Sequence, residues 1–350
     1  MPLVAKPAYQ EVTDARRALH PPPRIDEAAL AAFGCDVSFI SDDSTPAEEL
    51  VARAVEQATT REVKQLLREI FDRIRGDYDQ NGAIVHPAAV ATRIRQAASA
   101  LGLEPSAEQR GLLLRLFNDV NQVLFQHETL SWLAGDATFK IHLYGNGWDQ
   151  HPLLARHARG AIRDERMART IFRASKINLA TAAYGAMTPH VLEGIGDGGF
   201  FLMRFCAADV IERFYPPLLD FCARERIRSN EELSERATPG VRALLAFASR
   251  TMGVDVLRDW PDFVPNLRSS SAQGRSHCAA VLWPDEYPAV CFSSRDELLN
   301  LVAKFLYDAP ERRELAERMR RQLASPAPSS ISVQVHRAAI APRRRNEVAA

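Results

Sequence analysis

Thr188, Pro189, His190 and Glu193 stand in the order in which a chain opens a helix onto an anion. A threonine hydroxyl caps the first turn, and proline suits the first helical position, where a backbone N–H would have no partner inside the helix. The remaining free N–H groups and the helix dipole favour a phosphate at such a terminus. Glu193, one turn further on, either accepts hydrogen bonds from a ribose beyond the phosphates or is an acid compensating the dipole. His190 at the same terminus is either a phosphate donor or a polar residue at a helix end. Lys176 reads as a solvated lysine at a strand end or as a phosphate contact. His151 and His157, among Arg156, Arg159 and Arg163, read either as an anion-facing helix or as a solvated charged stretch. No compact His, Cys or carboxylate spacing suits zinc, and no metal site is expected.

These residues need a frame. Ile177 to Ala183 is a short apolar run that reads as a buried strand, and Phe200 to Phe205 reads as another. Between them a helix begins at Thr188-Pro189 and stops at Gly198-Gly199. Strand, loop, helix and strand within about thirty residues make the βαβ unit of a parallel sheet. Asp36 to Ile40 and Lys140 to Tyr144 read as further strands of the same sheet, joined by right-handed crossovers. The predicted fold is therefore α/β, with a Rossmann-like parallel sheet.

The intervening segments are too long for simple crossovers. From Pro46 to about residue 133 apolar residues recur at three and four, with breaks at Asn81-Gly82 and Glu104-Pro105. A crossover needs one helix of about ten to fifteen residues, so 46–133 reads as an inserted helical subdomain. A second, mostly helical insertion is expected over 206–260. Residues 259–273 read as a loop, Cys278 to Trp283 and Ala289 to Phe292 as short strands. Residues 1–34, with Pro21-Pro22-Pro23, read as a linker or docking arm, and 324–350 as a disordered tail.

The strand, the loop, the helix bearing Glu193, and Gly198-Gly199 before an apolar strand together resemble the donor-binding signature of group 1 glycosyltransferases of the GT-B fold. The branch it is most similar to is the spore-maturation glycosyltransferase-like family. Cys35 to Ile40 resembles the first strand of that family's carboxyl-terminal domain, and His142 to Trp148 its next strand and glycine loop. Ser293 to Leu323 resembles its closing helices. The blocks keep the family order over residues 35–323, which the resemblance makes one nucleotide-sugar-binding domain. It implies a nucleoside-diphosphate sugar as donor substrate, no other cofactor, and transfer of the sugar to an unidentified acceptor. It also implies that Gly145, Asn146 and Gly147 lie beside the donor diphosphate, where missing side chains let backbone N–H groups approach. The other reading of these glycines is a plain turn after a strand. Trp148 reads as packing rather than as a base-stacking platform.

The chain departs from the family pattern where charge is expected. Relatives carry His-x-Arg ahead of the Glu; here the positions hold Thr188 and His190. Many carry a second Glu where this chain has Gly185. The family's amino-terminal acceptor domain has no counterpart in residues 1–34. Either the inserted helices bind the acceptor, or a partner chain supplies that half, or the protein is a non-catalytic nucleotide-binding scaffold with a degraded site.

Composition bounds the rest. Forty-four basic and 44 acidic residues give zero formal net charge, so no global field points to nucleic acid or membrane. Apolar runs fall far short of the ~20 residues that span a bilayer, and no signal peptide opens the chain. Five scattered cysteines without a C-x-x-C fit a reducing cytoplasm.

Overall fold

The computed structural model describes residues 25–136, 138–211, 214–260, 263–265, 267 and 279–324. Among these, five strands form one sheet: β1 (Val37–Asp43), β2 (Ile141–Asn146), β3 (Ile177–Ala180), β4 (Phe201–Arg204) and β5 (Cys291–Phe292). Their order is β2-β1-β3-β4-β5 and every pairing is parallel. Every residue of β3 and β4 is buried. Strands covered on both faces have no solvent side, which is why these two read as apolar runs without alternation.

The four segments expected to share a sheet do so, with shifted ends. β3 stops at Ala180, short of Ala183, because the backbone there leaves the sheet for a side chain. Gln122 donates from Nε2 to the Thr181 carbonyl (3.1 Å) and accepts from the Ala183 N–H (2.8 Å). β1 and β2 stay in register from Val37 opposite Ile141 to Ile40 opposite Tyr144, then slip so that Asp43 meets Asn146. Two residues of β1 thus oppose the single Gly145, a β-bulge at the carboxyl end of the pair.

Helix α1 (Glu27–Phe33), capped by Asp26, precedes β1. Between β1 and β2 lie α2 (Ala47–Gln57), α3 (Arg61–Gln80), α4 (Pro87–Ala100) and α5 (Ala107–Ala134). Helix α6 (Glu165–Ala174) leads into β3 and α7 (Pro189–Gly196) joins β3 to β4. After β4 come α8 (Ala208–Ile211), α9 (Tyr215–Arg224), α10 (Asn230–Arg236) and α11 (Pro239–Met252). The described chain closes with α12 (Ala279–Leu282), α13 (Tyr287–Val290), α14 (Arg295–Tyr307) and α15 (Ala309–Ala324).

Two apolar cores result. One lies about the sheet and includes Phe39, Leu143, Trp148, Phe172, Phe201 and Phe305. The other joins both helical segments: Val51, Ile70, Ile94 and Phe117 pack in one cluster with Leu218, Phe221, Leu245 and Phe263. The sequence reads as two insertions, but their buried apolar residues share this cluster, and together they build one helical lobe. α5 ties the lobes together. Its 28 residues begin at a Ser106–Gln109 capping box and run about 42 Å. Leu113, Phe117, Val120 and Leu124 serve the helical core, whereas Leu130 and Leu133 serve the sheet core.

Other expectations are corrected. Residues 25–34 are not a free linker: α1 packs on α6, and the Phe33 and Tyr144 rings lie 6.5 Å apart. Residues 279–282 are helical rather than a strand, and Tyr287–Val290 is a helical turn, so the last strand begins only at Cys291. Short apolar runs fit either state, and here the fixed point is Trp283, fully buried with Nε1 donating to the Met319 carbonyl (3.0 Å). Phe263 and Val264, within the expected 259–273 loop, are helical. Residues 1–24, Cys278 and the tail expected from 324 lie outside the described residues, apart from Ala324 at the end of α15.

Candidate functional site

In a sheet of this order the connection leaving β1 runs to one side and that leaving β3 to the other. A crevice opens between their carboxyl ends, the point where open α/β sheets bind ligands. A cleft of about 190 Å³ occupies it, lined by Ser38, Ile40 and Ser41, by Asn178, Ala180 and Thr181, by Thr188, His190 and Val191 at the start of α7, and by Gln126 of α5. Phe39, Phe172 and Phe201 add an apolar wall.

The α7 terminus follows from its sequence. Thr188 caps it, its Oγ1 accepting from the Val191 N–H (3.4 Å) and its carbonyl from the Leu192 N–H (3.1 Å). Pro189 has no N–H. The His190 N–H alone in this first turn has no partner among the described residues, so the helix offers one backbone donor rather than a fan of them. At the other end Gly198 takes φ +91°, and the N–H groups of Gly198 and Gly199 close onto the Ile195 (3.0 Å) and Gly194 (2.8 Å) carbonyls. This is the glycine stop read from the sequence, in its Schellman form.

Below the cleft, Ser38 Oγ donates to Asn178 Oδ1 (2.6 Å), and Asn178 Nδ2 donates to the Phe172 (2.9 Å) and Phe200 (3.1 Å) carbonyls. Both side chains are buried, and the pair links β1, α6 and the entry to β4. Thr181 is 3% exposed, and its Oγ1 has no hydrogen-bond partner.

The helical lobe covers this edge of the sheet. Asn121 Nδ2 donates to the Ile84 carbonyl (3.0 Å) and to Tyr184 Oη (2.8 Å), while Tyr78 Oη donates to the Asn121 side chain (3.0 Å). At the end of β4, Arg204 is 3% exposed, paired with Glu128, and donates to the Phe125 carbonyl (2.6 Å) and Thr129 Oγ1 (2.9 Å). Its guanidinium lies over the Phe125 and Trp132 rings. Burial lowers the Arg204 pKa, and the Glu128 carboxylate offsets this only in part. Asp209, fully buried, accepts the Ala186 N–H (3.0 Å) and the Cys206 thiol (2.9 Å), anchoring the loop that leads into α7. Burial, then the Asp209 charge, push the Cys206 pKa well above its ordinary value.

Of the residues singled out from the sequence, Thr188 and His190 line the cleft. Glu193 is one turn along α7, half-buried, and is not part of the lining; its carboxylate has no hydrogen bond or ion pair among the described residues. Gly145, Asn146 and Gly147 end β2 on the same edge but across β1 from the cleft's deepest part. Their cradle role is not supported by the geometry. The Gly145 N–H is bonded to the Gly160 carbonyl (3.0 Å), and a Cβ on Gly145 would stand 1.7 Å from the Ser41 carbonyl oxygen. A Cβ on Gly147 would meet Ser44 Oγ at 2.6 Å. The glycines let β1 and β2 approach at the bulge.

Of its two readings, Lys176 fits that of a lysine at a strand end. It precedes β3, at the amino edge of the sheet, and its Nζ donates to Asp36 Oδ1 (2.8 Å). Four residues of β3, about 13 Å of strand, separate it from the carboxyl edge. His151, by contrast, is not solvated: it is buried, with Nε2 3.3 Å from His127 Nδ1. Trp148 is fully buried core.

Ser38, Asn178 and Thr181 were missed by sequence reasoning. The signal was present, since a polar residue inside a run destined for burial on both faces must find a partner or a purpose. Among the described residues no helix is long and apolar enough to cross a membrane, and no group of three or more His, Cys, Asp or Glu is arranged to hold a metal ion. No family model, no curated protein and no solved structure matches the chain. Functional assignment therefore rests on the residues and their geometry.

Proposed function

We propose that the protein binds a nucleoside-diphosphate sugar at the crevice between β1 and β3 and transfers the sugar to an acceptor held against the helical lobe. The observation that carries the reading is the coincidence of three features at one point: the reversal of strand order, the open cleft, and the α7 terminus with its free His190 N–H. The helical lobe supports the acceptor half of it. Both helical segments leave the sheet at carboxyl ends of strands and pack together, and Gln126 of α5 lines the cleft, so the site lies where the two lobes meet, a common place for ligand sites. Glu193 is the ribose carboxylate in this reading, and 35–323 is the donor-binding unit.

One observation favours a second reading, ligand binding without transfer. No lysine or arginine lines the cleft, and Lys176 is engaged at the opposite edge. A departing diphosphate would therefore meet little positive charge to stabilise it. A melting-curve screen with nucleoside diphosphates and their sugars tests the shared part, since a ligand at a hundredfold its dissociation constant stabilises by about 2.7 kcal/mol. Release of free nucleoside diphosphate from a bound nucleotide sugar then separates transferase from scaffold. Binding without release across donors and acceptors selects the scaffold, and absence of binding removes both.

A further inference from the structure

The chemistry of the cleft specifies which part of a ligand enters it. A seat for a diphosphate presents cations or a set of converging amide N–H groups. Here no Lys, Arg, Asp or Glu side chain lines the cleft, and one backbone N–H, that of His190, is free at the helix terminus. The polar lining is made of hydroxyls and amides, with the His190 imidazole at the helix terminus. Several of these are already engaged: Ser38 and Asn178 with each other, Thr188 with its own helix. Thr181 is not. It is 3% exposed, lines the cleft, and its Oγ1 lacks any hydrogen-bond partner. A buried hydroxyl left unpaired carries a free-energy cost that a ligand hydroxyl would relieve. Phe39, Phe172 and Phe201 give the same space an apolar side.

Size narrows the choice further. About 190 Å³ is below the roughly 300–1,000 Å³ of clefts that take in a whole drug-sized ligand. One ring fits; base, ribose, diphosphate and sugar together do not.

We infer that the cleft seats an uncharged, hydroxyl-bearing ring, a sugar, with Thr181 Oγ1 as its buried hydrogen-bonding contact and any phosphate left at the rim beside the His190 N–H. The identity of the remainder of the ligand rests on the nucleotide-sugar reading above. The seat itself does not.

The test uses the full chain and its Thr181→Val and Thr181→Ser variants, with calorimetric titration of UDP, GDP, UDP-glucose, GDP-mannose, free glucose and free mannose. At least one nucleotide sugar is expected to bind ten or more times tighter than its diphosphate. Thr181→Val should abolish that difference and Thr181→Ser should preserve it. Without ligand, Thr181→Val should melt higher than wild type, because an unpaired buried hydroxyl has been replaced by a methyl of the same shape. If diphosphate and conjugate bind equally and both depend on Thr181, the phosphate occupies the cleft; the inference falls and the nucleotide reading stands. If free sugars alone bind with Thr181 dependence, the inference stands and the nucleotide reading falls. If no probe binds, or if Thr181→Val melts lower with every affinity unchanged, the inference is overturned.

Discussion

Gly145→Ala should be far more damaging than Gly185→Ala, although both glycines hold positive φ, +134° and +146°. The shared part of the cost is backbone strain, about 1–3 kcal/mol for a non-glycine residue in such a region. What differs is the space. A Cβ at Gly185 meets nothing within 4 Å, whereas one at Gly145 lies 1.7 Å from the Ser41 carbonyl oxygen and 2.9 Å from its carbon. Backbone cannot swing aside as a side chain does, so β1 and β2 must part at the bulge. Overpacking of this kind costs about 1–3 kcal/mol. Loss of a ladder hydrogen bond adds about 1 kcal/mol. Gly145→Ala is thus expected to exceed Gly185→Ala by about 2–4 kcal/mol, a large share of a typical stability of about 5–15 kcal/mol. Gly147→Ala should fall between them, because the atom it meets, Ser44 Oγ at 2.6 Å, belongs to a side chain that can rotate. Urea denaturation followed by far-UV circular dichroism measures all three. Equal losses at Gly145 and Gly185 would refute the argument, since strain alone would then account for both.

Further outcomes follow from the same geometry. Burial holds both His86 and His142 at about 4, against 6.5 for a free imidazole. Between those values the unfolded chain binds protons that the folded chain does not, so stability is lost as pH falls. Each histidine contributes up to about 1.4 kcal/mol per pH unit. His86→Asn, which keeps a capping acceptor for α4, should remove its share of the slope in urea titrations from pH 7 to 4.5; an unchanged slope would exclude His86 as a contributor. Glu128→Ala should cost about 3–5 kcal/mol by leaving the Arg204 charge buried and unpaired. Arg204→Met should cost less, because the Glu128 side chain it leaves behind is 28% exposed; the reverse order in denaturation midpoints would contradict this. Glu193→Ala should weaken nucleoside-diphosphate binding at least tenfold, the loss of a charge-assisted hydrogen bond of about 1.5–3 kcal/mol, with little change in melting. Unchanged affinity in calorimetry would leave Glu193 as an acid that compensates the helix dipole.

What could be read from the sequence was what local chemistry determines. The start of α7 at Thr188-Pro189 and its stop at Gly198 depend on residues within a few positions of each other, and both appear where expected. β3 and β4 were legible because burial on both faces leaves a continuous apolar run, whereas residues 279–282, an equally apolar run, are helical. The union of the two helical segments into one lobe depends on contacts far apart in the chain, such as Arg95 donating to the Asp259 carbonyl (2.7 Å) and the His86 and Trp260 rings 5.1 Å apart, which no local spacing encodes. Lys176 illustrates the same limit within the candidate site. Its residue type suits a phosphate, but position on a parallel strand decides which edge it serves, and Asp36 holds it at the amino edge. Conversely, Asn178 and Thr181 sat in plain view inside an apolar run. Their significance emerges only once burial shows that one is fully bonded and the other is not.

The placement of the helical lobe between β1 and β2 also has a consequence for synthesis on the ribosome. β1 is flanked in the sheet by β2 and β3, both of which come later in the chain. Residues 44–140 must be translated before the first of those partners exists. At about 5–20 residues per second that is roughly 5–20 s during which β1 has emerged with neither edge paired. α2 to α5 follow it directly, and their mutual contacts are close in sequence. Local helical pairs form far faster than a sheet whose neighbours are distant. The nascent chain therefore gathers its helices first, and β1, the first strand made, waits for partners that come after them.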